Sequence, residues 1–188
     1  MTSRTAYKDP ISVDDYLAGE QHSEIRHEFI NGQVYAMGGA SRTHGLIVNA
    51  LAFVLTPAAR RRHCQLFTSD MKVQLQIGNS QIFYYPDLLL SCDPNDRETY
   101  FCRTPCLIIE VLSESTERID RREKFLAYQA LPSLQEYLLV AQDARRVEIY
   151  RRSTDWQVEC YESGQVQLDC LEERLDLDSI YQDVEMTG

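Results

Sequence analysis

The run Cys106–Leu112, CLIIEVL, is apolar at every position but one. A strand with one wet face alternates apolar and polar residues, whereas a strand covered on both faces reads as a continuous apolar run. CLIIEVL therefore predicts the central strand of a sheet with material packed on both sides. The exception is Glu110. A carboxylate in such a strand is costly to desolvate and needs a partner.

The flanking sequence supplies the covering layers. SVDDYLAGE reads as a short helix capped by Ser12 and stopped near Gly19, and HEFINGQVYAMGG as a hairpin turning at Asn31-Gly32. Ser41 caps a helix to about Leu55, whose apolar residues recur at helical spacing, and Pro57 is expected to end or restart it. MKVQLQI alternates: Met71, Val73, Leu75 and Ile77 on one face, Lys72, Gln74 and Gln76 on the other. QIFYYPDLLLS reads as one strand interrupted at Pro86, where a bulge or edge is expected. A helix is expected from about Glu117 to Ala130, then strands at EYLLVA and RVEIYRR. WQVECYE and QVQLD are candidate further strands, and LDLDSIY a final helical turn. The order predicts an α/β (α+β) fold: a mixed β-sheet flanked by α-helices, with an N-terminal helix and hairpin.

The 188 residues suit one domain, 1–188, with a core of about 10–180. The start is polar, and the longest apolar stretch, GLIVNALAFVL, is too short to span a bilayer. A cytoplasmic protein with no membrane partner is expected. The formal net charge of −10 counts against a large electrostatic footprint on nucleic acid, though metal ions can neutralise carboxylates locally. Without a secretory signal, the six cysteines are expected as free thiols. Cys102 and Cys106 match zinc-knuckle spacing poorly, so small buried hydrophobes are the expectation there.

Asp87 follows Pro86, and Glu110 lies in the next strand. Adjacent strands can set these carboxylates side by side, where a cation between them relieves repulsion. Carboxylate oxygens suit a hard divalent ion, Mg²⁺ or Mn²⁺. That ion, rather than a basic side chain, is the expected main partner of Glu110. Lys124 lies one helical turn after Asp120 and can point its ammonium at the carboxylates.

Tyr85-Pro86-Asp87, Leu107-Ile108-Ile109-Glu110-Val111-Leu112-Ser113, Ser115-Thr116, Asp120-Arg121 and Lys124 together resemble a known pattern. So do Arg26-His27-Glu28-Phe29-Ile30-Asn31-Gly32, the Ser41-x-x-His44 helix start, Glu136–Val140 and Val147–Tyr150. The pattern is similar to that of the Uma-type family of putative restriction endonucleases, a branch of the PD-(D/E)xK nuclease superfamily. The resemblance implies a restriction-endonuclease-like fold and a metal-dependent phosphodiesterase. Asp87 matches the PD aspartate and Glu110 the acidic position of (D/E)xK. The usual lysine would fall at residue 112, which is Leu112; in the Uma-type pattern the following helix supplies it, here as Lys124. Glu28 matches an acidic residue that completes the metal site, and His44 a helix-start histidine of unassigned role.

Two readings follow. In the first, Asp87, Glu110, Lys124 and Glu28 are the catalytic residues of a DNA endonuclease. Asp87, Glu110 and Glu28 hold Mg²⁺ or Mn²⁺, with the Val111 carbonyl, and the enzyme is a homodimer. In the second, the fold persists as a non-catalytic binding or regulatory module.

Overall fold

The computed structural model describes residues 10–185; the polar start at 1–9 lies outside the described residues. In chain order the elements are α1 (Val13–Glu20), β1 (His27–Ile30), β2 (Gln33–Ala36), α2 (Arg42–Arg61), β3 (Gln65–Thr68), β4 (Lys72–Ile77), β5 (Ser80–Tyr84), β6 (Leu88–Ser91), β7 (Phe101–Cys102) and β8 (Leu107–Val111). A helical segment follows, in three parts: α3 (Glu117–Ile119), a π-helical turn (Asp120–Lys124) and α4 (Phe125–Tyr128). Then come β9 (Glu136–Val140), β10 (Val147–Arg151), β11 (Val158–Tyr161), β12 (Gln165–Leu168), β13 (Glu173–Asp176) and α5 (Leu177–Tyr181).

The strands form two mixed sheets and a hairpin. One sheet has the order β2-β1-β5-β4-β7, the other β11-β10-β9-β8-β6-β3, and β12 pairs with β13. The expected α+β class holds, with two mixed sheets where one was expected. The division falls at Pro86. QIFYYPDLLLS is two strands: β5 ends at Tyr84 in the first sheet, and β6 begins at Leu88 in the second. Proline cannot donate to a ladder, and here its position hands the chain from one sheet to the other. Asp87 therefore lies in the crossover, not in mid-strand.

β8 is central, as its run predicts. All five residues are buried, and it pairs antiparallel with β6 and parallel with β9. Leu107, Ile109 and Val111 pack with Ile47, Leu51 and Leu55 of α2. Ile108 and Leu112 pack on the opposite face with Val73, Leu75, Tyr84, Ala127 and Tyr128. Alternation places Glu110 on that second face, between the two sheets and under the helical segment.

Other expectations fare unevenly. Asn31 and Gly32 both have positive φ (47° and 87°), as a tight hairpin turn requires, and a Cβ at Gly32 would meet Pro10 Cβ at 2.8 Å. Pro57 does not end α2, which runs on to Arg61; burial of Leu55, Ala58 and Ala59 outweighs the hydrogen bond the proline cannot make. Lys72, expected on the wet face of its strand, is 6% exposed and donates to Tyr85 Oη at 3.0 Å. Ile77, expected inside, is 40% exposed. β13 was not expected. Nor were two disulfides: Cys64 bonds to Cys92 and Cys106 to Cys170, while Cys102 and Cys160 are free. These pairs join segments far apart in the chain, and sequence spacing does not reveal such proximity.

Candidate active site

Register fixes the first part of the site. Leu88 of β6 stands opposite Ile109 of β8, so one step further sets Asp87 across from Glu110. An Asp87 Oδ2 acceptor takes the Val111 N–H at 2.7 Å, anchoring the crossover to the central strand. From α2, His44 Nε2 reaches the same oxygen at 3.1 Å. Ser41 accepts from the His44 N–H at 3.0 Å, so the helix cap also sets where that histidine sits. Burial disfavours the His44 imidazolium, but the hydrogen bond and charge of Asp87, with Asp120 beyond, raise its pKa above the ordinary value.

The second part gathers around Lys124. Its Nζ lies 3.0 Å from Glu28 Oε1, 3.1 Å from Glu110 Oε1 and 3.4 Å from Asp120 Oδ1. Lys124 and these three acids are all nearly closed to water, with side chains 2–8% exposed. Tyr128 donates to Glu110 Oε1 at 2.9 Å, and Tyr137 donates to the Asp120 carbonyl at 3.1 Å. Lys124 Nζ also stands 5.6 Å from the centre of the Tyr84 ring. Asp120, Lys124 and Tyr128 recur at intervals of four, which puts them on one helical face. The segment widens into a π turn across Asp120–Lys124, a device frequent at functional sites.

Charge in this pocket is unbalanced. Burial holds the Glu110 carboxyl well above the usual range, with Asp120 and Asp87 adding repulsion; Lys124 and the Tyr128 hydrogen bond only partly counter this. Burial likewise raises Asp120. For Lys124, burial opposes the charged form, but Glu110, Glu28 and Asp120 overcome it and hold the ammonium well above its ordinary pKa. Asp120 Oδ1 is within ion-pair reach of Lys124, yet among the described residues it and Arg146 Nε are the buried side-chain polar atoms without a hydrogen bond. An unfilled buried acceptor is costly and marks a place where another donor or ion belongs.

The site residues read from the sequence thus fall into one neighbourhood: Glu28 from β1, Asp87 from the crossover, Glu110 from β8 and Lys124 from the helix. Val111 joins through its N–H. The described side-chain partners of Glu110 are Lys124 and Tyr128. Oxygen donors of this kind suit a hard divalent cation, and the unfilled Asp120 oxygen is consistent with one. The acids are, however, arranged around the ammonium. Among the described residues, the group of metal-ligating side chains with atoms within 4.8 Å of one another is instead Cys92, Cys106 and Cys170. Sequence reasoning left Asp120 and Tyr128 out of the site. Their spacing on either side of Lys124 was the available signal.

Among the described residues no helix is long and apolar enough to cross a membrane. The chain is 38% identical over 173 residues to the uncharacterized protein slr1290 of Synechocystis sp., covering 90% of this chain and 86% of that one. It is 34% identical over 150 residues to the uncharacterized protein sll1609 of the same organism, covering 78% and 84%. Its fold matches the crystal structure of a putative nuclease belonging to DUF820 from Anabaena variabilis. The TM-score is 0.71 at 18% identity, over 92% of this chain and 98% of that one. Residues 13–179 match the Uma2 family, described as putative restriction endonuclease, and the chain belongs to that family.

Proposed function

We propose that this protein is a divalent-metal-dependent endonuclease that hydrolyses DNA phosphodiester bonds. One observation carries the reading: acidic side chains from β1, the sheet crossover and β8 converge with one buried lysine, and a buried Asp120 oxygen is left unfilled. Glu28, Asp87 and Glu110 are the residues to hold Mg²⁺ or Mn²⁺, with the Val111 carbonyl. When bound, such an ion lowers the pKa of an attacking water and offsets charge on the phosphate. Lys124 orients that water or stabilises the charge that develops at phosphorus. Tyr128 fixes the rotamer of Glu110, and His44 holds Asp87 in place. Cutting both strands of a duplex favours a homodimer, by analogy with symmetric enzymes.

A second reading has one observation in its favour. Lys124 contacts three of the acids, so the cluster is partly neutralised without an ion. On that reading the fold serves as a binding or regulatory module.

Supercoiled plasmid assayed with Mg²⁺, Mn²⁺ or EDTA separates the two, with thermal melting run alongside. The nuclease reading expects metal-dependent nicking and a rise in Tm with Mn²⁺, both absent in Asp87→Asn. At an ion concentration about 100-fold above Kd, the rise corresponds to about 2.7 kcal/mol. No nicking and no metal effect on Tm would leave the binding module standing.

A further inference from the structure

We propose that Cys64, Cys92, Cys106 and Cys170 form a redox-gated site that binds one zinc ion as a tetrathiolate when reduced. The topology brings them together. β3, β6 and β8 are neighbours, with Gln65 opposite Ser91 and Leu90 opposite Leu107. Cys64 leads into β3, Cys92 follows β6 and Cys106 leads into β8, so three cysteines sit at one end of three adjacent strands. Cys170, just beyond β12, arrives from the C-terminal hairpin. Glu136 helps to place it by accepting its N–H at 3.1 Å.

The two disulfides touch each other. Cys92 Sγ lies 3.6 Å from Cys106 Sγ, and the Cys92, Cys106 and Cys170 sulfurs all fall within 4.8 Å of one another. With Zn–S bonds of about 2.3 Å, the edge of a zinc tetrathiolate is about 3.8 Å. Three of the four sulfurs of a tetrahedral site are thus already within reach of one another, and Cys64, bonded to Cys92, completes the set once the disulfides open. Cys64, Cys106 and Cys170 are 6–8% exposed, while Cys92 is open to solvent and gives an entry path. Cys106 stands four residues before Glu110, roughly 13 Å along the strand, so this site is separate from the carboxylates. Cys102 is no ligand: it lies on β7 in the other sheet, where its thiol donates to Asp96 Oδ2 at 3.0 Å.

The chemistry balances. Two equivalents of a dithiol reductant convert the two disulfides to four thiols and are themselves oxidised to two disulfides. Zn²⁺ then binds four thiolates and releases four protons.

The test is anaerobic titration of the full chain with Co²⁺ and then Zn²⁺, before and after reduction. The reduced chain should take up one Co²⁺ at this site with the visible absorption of a tetrahedral tetrathiolate and release of about four protons, and Zn²⁺ should bleach that absorption. The oxidised chain should take up none at this site. Cys102→Ser should leave the tetrathiolate spectrum unchanged, and Cys106→Ser should abolish it. Should that variant not fold, alkylation of the wild-type reduced chain gives an independent reading: zinc should shield four of its six cysteines. No tetrathiolate spectrum in the reduced chain, such a spectrum surviving Cys106→Ser, or no shielding would overturn the proposal.

Discussion

Lys124 and Arg151 each face three acidic partners. Lys124 meets Glu28, Glu110 and Asp120; Arg151 meets Glu136, Glu159 and Asp169. The surroundings differ. Glu159 and Asp169 are 40% and 53% exposed, so water carries much of their charge. Glu136 is buried, but its two oxygens accept the Asp169 and Cys170 N–H groups at 3.0 and 3.1 Å. Arg151 also donates to the Gln167 carbonyl at 2.6 Å. This cluster straps the C-terminal hairpin to β9 and β10, and the two N–H donors occupy both oxygens of Glu136. Around Lys124 all three acids are closed to water, and one Asp120 oxygen lacks a hydrogen bond. Counting charges does not separate a strap from a site; burial and unfilled acceptors do.

The largest expected effect tests that distinction directly. Lys124→Ala should lower single-turnover cleavage of duplex DNA by about 10²- to 10³-fold. Arg151→Met, with the same number of acids around it, should leave the rate within a few-fold. Equal losses would break the comparison. Stability comes next. Removing Lys124 leaves three buried acids without their cation, a change that costs on the order of 3–5 kcal/mol for a buried pair. Protonation of Glu110 and Asp120 should soften that loss, and Mn²⁺ should restore more stability to this variant than to wild type. Denaturant unfolding with and without the ion measures both.

The pH dependence should sharpen the contrast. Glu110 and Asp120 have folded pKa values above their unfolded ones, chiefly through burial. Between the unfolded value, about 4.3 for glutamate, and the raised folded value, the native state holds more protons. Stability in the absence of metal should therefore fall as pH rises through that window. Glu110→Gln should flatten the decline. Glu148 runs the other way: hydrogen bonds from Arg121 lower its pKa, so its contribution is present above the ordinary range and lost as pH falls through the folded value. Melting curves from acid to neutral pH that did not flatten in Glu110→Gln would remove that carboxyl from the buried imbalance.

How much of this was legible in the sequence depends on how local the cause was. Continuous apolarity marked β8 as central, and Asn31-Gly32 marked its hairpin, because both signals are carried by neighbouring residues. Strand order suggested pairing Asp87 with Glu110, and helix spacing aimed Lys124 at them, but Glu28, from a distant segment, joined the group only through the family resemblance. What the sequence concealed was tertiary. Pro86 signalled a break but not a change of sheet. Lys72 alternates like a wet residue yet is buried beside Tyr85. Tyr128 carries no mark distinguishing a core aromatic from a hydrogen-bond donor to Glu110. The four cysteines are scattered from residue 64 to 170; strand order brings three of them to one end of a sheet, and the C-terminal hairpin delivers Cys170.

The smallest expected effect concerns the strap. Arg151→Met keeps the stem that packs in the sheet but removes the guanidinium. Glu136 retains its two backbone donors, and Glu159 and Asp169 can turn to water, so no buried acceptor is stranded beyond the Gln167 carbonyl. The loss should be about 1.5–3 kcal/mol, the contribution of one hydrogen bond to a charged group, and Mn²⁺ should not change it. Hydrogen exchange should localise the effect to β12 and β13. A loss as large as that of Lys124→Ala, or one reversed by Mn²⁺, would mean that the two clusters are energetically alike after all, and that burial is the wrong criterion for telling them apart.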